Sequence, residues 1–233
     1  MYFMDNYPLR EFERLMQGIP NFAPRGHGVI IFEYMPQDYP CSGCLHHTSR
    51  GGNIGCDLTH QTCLKKRIKI GEATQKEILT ETMSSIRYPP FQNRLNQYLK
   101  ESERNPMEFR DTKHRWLFAE ATQKLDEKNY ALMAAVYLLT ADLKLWNAAR
   151  RYIERNSIRF NEIKLSGTHP YGYALFCGAK DLYLGTKHLS VGDLADTELI
   201  TPKMFALICN AMAIRRFGLG AIYFNKERNE NDA

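Results

Sequence analysis

Four cysteines fall within 23 residues: Cys41-Ser42-Gly43-Cys44, then Cys56, then Cys63. A Cys-x-x-Cys loop is short enough for both thiolates to grip one ion, and Gly43 relieves the tight turn between them. Zinc takes four sulfur or imidazole ligands in a tetrahedron, and a closed set of that kind stabilises a fold directly. The second pair is irregular. Six residues separate Cys56 from Cys63, with His60 between them and His46 and His47 just after the first pair. The expected ligands are therefore Cys41, Cys44, Cys56 and Cys63, with His60 able to replace one of the last two. The bland alternative is a loop of reduced thiols, and four thiolates also suit an iron–sulfur cluster. A catalytic zinc would need an open coordination position and a carboxylate base. Glu33, Asp38 and Asp57 lie near, without a recognisable enzyme spacing.

Two basic windows come next. Between 41 and 70, Arg50, Lys65, Lys66, Arg67 and Lys69 face Asp57 alone, a net +4. Between 144 and 164, Lys144, Arg150, Arg151, Arg155, Arg159 and Lys164 face Glu154 and Glu162, again +4. The whole chain carries only +5, so its positive charge is concentrated in these windows. Lys65, Lys66, Arg67, Lys69, Arg150, Arg151, Arg155 and Arg159 are the candidate contacts to phosphates or to an acidic protein. Arg151, Arg155 and Arg159 would share a face if a helix runs that far, with Tyr152 and Phe160 near enough to stack on bases. A solvated face whose long side chains cover apolar surface is the plainer reading.

Enzyme signatures are missing from the sequence. There is no phosphate loop, dinucleotide fingerprint, nucleophile elbow, His-Glu-x-x-His or zinc-deaminase order. His114, His169 and His188 lie in the same half as Asp181, Asp193 and Asp196, without supporting spacing. Cys177 and Cys209 sit in apolar helical surroundings and read as core thiols.

The elements that must position these groups change character along the chain. With 44% hydrophobic and 24% charged residues, the 233-residue chain can bury a sizeable core, which excludes global disorder. The first 70 residues are rich in Pro and Gly, with a short helix expected over 9–16 and a strand over 29–34. Helical spacing then takes over across 72–86, and again from Pro89-Pro90 with Phe91, Leu95, Tyr98 and Leu99. Asp111 and Asn129 are expected N-caps; Leu132, Val136, Leu139 and Leu143 mark a central helix. Thr201-Pro202 starts the last long helix, which stops at Gly218, and Ser190 with Asp193 fits a capping box. The expected fold is mainly α, a small zinc-stabilised α+β module followed by an all-helical domain. Its boundaries are a Cys-rich module at 1–70, a helical connector at 71–104, the helical domain at 105–225 and a polar tail at 226–233. The longest apolar run, Ala131 to Leu139, is too short for a membrane span, and the N-terminus lacks signal-peptide features. A soluble, cytoplasmic chain with reduced thiols is expected, which disfavours disulfides.

Several strings together resemble a protein family of integrative and conjugative elements in Firmicutes. They are the Cys-x-x-Cys with its basic segment, Glu81 through Phe91, Arg94-Leu95-Asn96-Gln97-Tyr98-Leu99, Asn129 through Ala135, Ala179 through His188 and Phe205 through Gly220. The family tends to carry adjacent cysteines near Cys63, where this chain has His60-Gln61-Thr62; the fourth ligand stays open. The resemblance implies a mobile-DNA source rather than an activity. The resulting expectation is a non-enzymatic binding protein whose partner is a host defence protein or nucleic acid. Its most concrete form is an anti-CRISPR-type inhibitor of a host nuclease effector. The alternatives are a DNA-binding conjugation accessory and a metal-dependent enzyme acting on nucleic acid.

Overall fold

The computed structural model describes residues 47–50, 53–56, 63–103, 107–167 and 169–223. The region from 63 onward is mainly helical, as the periodicity predicts. Before it lies an antiparallel hairpin that the sequence reading did not anticipate, β1 (His47–Arg50) with β2 (Asn53–Cys56), in a register that pairs His47 with Cys56. The helix expected over 9–16 and the strand over 29–34 lie outside the described residues, as do Cys41, Cys44, His60 and the polar tail.

The helices begin where the local chemistry says they should. α1 (Leu64–Lys69) starts at Cys63, and α2 (Gln75–Thr82) opens with a capping box. There the Thr74 hydroxyl accepts from the Glu77 N–H at 3.2 Å, while Glu77 Oε2 accepts from the Thr74 N–H at 2.8 Å. α3 (Pro89–Ser102) has proline in its first turn and buries Phe91, Leu95 and Leu99 on one stripe. α4 (Thr112–Thr122) is capped by Asp111 and α5 (Tyr130–Thr140) by Asn129, whose side chains accept from His114 N and Leu132 N. α6 (Leu143–Ala149) follows after a single turn, capped by Asp142. α7 (Pro170–Leu184) ends at Gly185, whose φ of +69° is the left-handed stop that glycine adopts without strain. The Ser190–Asp193 capping box opens α8 (Val191–Ala195), and Thr201-Pro202 opens α9 (Pro202–Phe217). α9 stops at Gly218, φ +80°, where a Cβ would lie 2.8 Å from the Tyr130 ring, so only glycine fits. α10 (Gly220–Tyr223) closes the described chain.

Every residue of α5 from Leu132 to Thr140 is buried, because α7 and α9 pack along it and α4 covers a further side. α2 and α10 lie on α9, and α3 packs against α8. One apolar core runs from Ile68 to Ile222, and the helices at 75–102 contribute to it. No helix among the described residues is long and apolar enough to cross a membrane.

Several polar groups inside this core tie its helices together. Asn210, 1% exposed, donates to Met107 O at 2.7 Å and Tyr137 Oη at 3.3 Å and accepts from Gln75 Nε2 at 3.1 Å. It thus joins α2, α5, α9 and the chain before α4. Arg94 on α3 donates to Leu194 O (2.6 Å), Asp196 O (2.8 Å) and Ile200 O, and lies 4.6 Å over the Phe205 ring. That guanidinium holds the α8–α9 connection. His114 is 1% exposed in an aromatic cluster with Phe109 and Tyr137. Its Nδ1 accepts from the Arg110 N–H at 3.1 Å, which leaves Nε2–H to donate to Tyr137 O at 2.8 Å.

That wiring needs the neutral imidazole, and burial lowers the His114 pKa to about 4. Above the ordinary histidine value near 6.5 both folded and unfolded chains are neutral, so the stability is fully present. As pH falls from about 6.5 to 4 the unfolded chain takes the proton and the folded one resists, so stability drops, by about 3 kcal/mol at most. Urea unfolding at pH 7 and pH 4.5 is expected to show this loss, and His114→Gln to flatten it while lowering stability at pH 7. An equal pH dependence in wild type and variant would contradict the assignment.

Candidate functional site

The second basic window does not form one helix. After α6 the chain makes a 3-10 turn (Arg150–Tyr152), an antiparallel bridge of Ile153 to Ile158, and a further 3-10 turn (Phe160–Glu162). Glu154 N donates to Ser157 O at 2.8 Å and Arg159 N to Tyr152 O at 3.0 Å, closing a tight reverse turn over 154–157. Asn156-Ser157 suits such a turn, and the β-branched Ile153 and Ile158 suit its arms. Distant groups finish the arrangement. Asp126 N donates to Arg155 O at 3.0 Å, Asn129 Nδ2 to Asn156 O at 3.2 Å, and Ile158 N to Tyr183 Oη at 3.3 Å. The expected common helix face of Arg151, Arg155 and Arg159 is thereby corrected to a turn docked on the α4–α5 loop and α7.

The turn still gathers the arginines. Arg151 and Arg159 come from opposite arms to the same ring, their Cζ atoms 5.4 and 5.9 Å from the Tyr152 centroid. Arg155 lies in the reverse turn itself. Arg159 also pairs with Glu154 at 3.5 Å and Glu162 at 3.3 Å. Arg150, Arg151 and Arg155 are exposed and make no ion pair among the described residues. Phe160 is not available to stack on a base. It is 3% exposed, packed edge-on against Phe176 at 5.5 Å.

The first basic window is divided by α1. Arg67 points back to the start of α2, where its guanidinium grips Glu77 bidentately at 2.7 and 2.9 Å and donates to Glu72 O at 3.1 Å. This pairing, with the Thr74 N–H, lowers the Glu77 carboxyl to about 2. Arg67 therefore joins α1 to α2 and is already occupied. Lys69 is exposed, while Lys65 and Lys66 are half-buried.

Of the expected metal ligands, two are placed. Cys56 stands on β2 across from His47, and Cys63, half-buried, is the N-cap of α1 with no side-chain cap bond. Among the described residues no three His, Cys, Asp or Glu side chains converge to hold a metal ion. Cys177 and Cys209 are buried, and burial pushes the Cys209 thiol far above its ordinary range.

The scattered histidines and carboxylates of the helical half carry structural duties. Asp193 completes the α8 capping box, Asp196 accepts from Glu198 N, and His169 caps α7. Asp181 and His188 do meet, at 2.5 Å, but in a closed interior where the carboxylate is 0% exposed.

Sequence reasoning also missed a cleft that joins Arg110, Asp142, Tyr171 and Lys203 from four separate segments. The only local sign of it is the pair of helix starts with proline in the first turn, at Pro170 and Pro202. No protein-family model matches the chain, and neither a curated protein nor a solved structure is similar to it.

Proposed function

We propose that this chain is a non-enzymatic, zinc-stabilised binding protein of a mobile genetic element, which engages a polyanionic partner through the 150–159 turn. The observation that carries the reading is the display of Arg150, Arg151 and Arg155, exposed and without an ion pair among the described residues, on a turn held by three hydrogen bonds to the α4–α5 loop and α7. A fixed turn holds its arginines ready, so less ordering entropy is lost when phosphates or carboxylates arrive. The resemblance to proteins of integrative and conjugative elements supplies the setting. An anti-defence inhibitor of the anti-CRISPR type, occupying a host nuclease effector or its nucleic acid, is the concrete form. Zinc on Cys41, Cys44, Cys56 and Cys63, with His60 able to replace one of the last two, supplies the N-terminal stability.

The test uses a purified host nuclease effector and a plasmid-survival assay. An inhibitor forms a stable complex with the effector and restores survival, and Arg150→Glu/Arg151→Glu/Arg155→Glu loses both. Shifting duplex DNA alone, with no effect on survival, identifies the conjugation accessory instead. Metal-dependent turnover of nucleic acid by the purified chain would overturn the non-enzymatic reading.

A further inference from the structure

A cleft of about 400 Å³ opens between the first turns of α7 and α9, the α5–α6 connection and Arg110. That size lies within the range of small-molecule sites, about 300–1,000 Å³. Its floor is apolar: Leu175, Met204 and Leu207 are 2%, 5% and 1% exposed. At the rim Tyr171, an exposed aromatic, has its ring centroid 4.6 Å from the His169 imidazole. An exposed aromatic pair above an apolar floor suits a ligand with a flat or apolar body.

The charge at the mouth is positive. Lys203 is exposed and makes no ion pair among the described residues. Arg110 donates to Ala141 O at 2.9 Å and lies 3.7 Å from Asp142 and 3.8 Å from Asp111, keeping part of its guanidinium fork at the cleft. Asp142 is the single carboxylate lining the cavity, and it is engaged twice, by Arg110 and by Leu145 N at 2.9 Å. The helix ends themselves are capped: His169 takes Tyr171 N at 3.3 Å, and Thr201 takes Met204 N at 3.4 Å. Recognition therefore rests on side chains.

We propose that this cleft binds a small organic anion, a phosphate ester or carboxylate whose charged head meets Lys203 and Arg110 and whose apolar body covers Leu175, Met204 and Leu207. The site is separate from the arginine turn.

The test titrates the full chain, ¹⁵N-labelled, with adenosine monophosphate, benzoate, adenosine and inorganic phosphate, following the amides of Tyr171 and Lys203. At least one of the two organic anions is expected to saturate with a Kd below about 1 mM, roughly tenfold tighter than adenosine or phosphate. Saturation by adenosine monophosphate identifies the phosphate-ester source, and by benzoate the carboxylate. Lys203→Glu and Lys203→Ala, both at an exposed position, weaken it at least tenfold and about threefold with unchanged melting temperatures. Arg155→Ala leaves it unaltered, which separates this result from any failure of polyanion binding. The proposal is overturned if neither organic anion saturates by about 10 mM, if phosphate or adenosine binds as tightly, or if Lys203→Glu leaves the affinities unchanged.

Discussion

Replacing Asp181 by alanine is expected to cost about 3–5 kcal/mol, because it strands several buried hydrogen-bond donors at once. The carboxylate on α7 is 0% exposed and accepts from four donors. His188 N donates at 3.0 and 2.9 Å to its two oxygens, Leu189 N at 2.8 Å, Thr186 Oγ1 at 2.8 Å and His188 Nδ1 at 2.5 Å. These donors lie in the loop that turns the chain from Gly185 into α8. Without the carboxylate two backbone N–H groups and an imidazole N–H are stranded out of reach of water. A domain of this size then melts about 10 °C lower, with hydrogen exchange rising first over 186–195. Asp181→Asn retains one acceptor and is expected to fall between. A loss under 1 kcal/mol, with exchange unchanged in that loop, would refute the role assigned to this carboxylate.

Removal of the proposed zinc is expected to have the second large effect, on the chain before α1. A structural four-ligand site binds with an apparent 10–16 kcal/mol in small zinc modules, roughly, so the metal should survive dialysis and yield to strong chelators. Among the described residues, the core from Ile68 to Ile222 is a continuous apolar cluster built by the helices. Chelation should therefore expose the chain before α1 to protease while the helical circular dichroism persists. Elemental analysis should give one zinc per chain, lost in Cys41→Ser and Cys63→Ser. Protein expressed with zinc available and found metal-free would exclude the site.

What the sequence reveals of this fold is mostly what one turn of chain decides. Asp111, Asn129, Thr201-Pro202 and the Ser190–Asp193 box are legible because a cap and the N–H it satisfies lie within three residues of each other. The arginine window is different. Its spacing of four fits a helix, but Asp126 N, Asn129 and Tyr183, more than twenty residues distant on either side, fix a turn there. Arg67 looks free by local charge count, yet its partner Glu77 is ten residues on, beyond any i,i+4 rule. The hairpin at 47–56 did leave a local sign, Gly51-Gly52 between two short segments. The cleft at Lys203 is the least legible feature, since its walls meet only through the packing of α7 and α9 on α5.

The 150–159 arginines are the proposed contact for polyanions, and DNA is the simplest polyanion. Equilibrium binding of labelled duplex and single-stranded DNA across about 50 to 200 mM salt tests this directly. Wild type is expected to bind with log affinity falling against log salt with a slope near −3 on duplex, about one for each unpaired arginine. Arg150→Glu/Arg151→Glu/Arg155→Glu should lose this slope and at least a hundredfold in affinity, with an unchanged melting temperature. Arg67→Ala, at a position committed to Glu77, should keep the affinity within twofold. Wild type binding neither DNA, or the triple variant binding with the same affinity and the same salt dependence, would contradict the proposed polyanion contact.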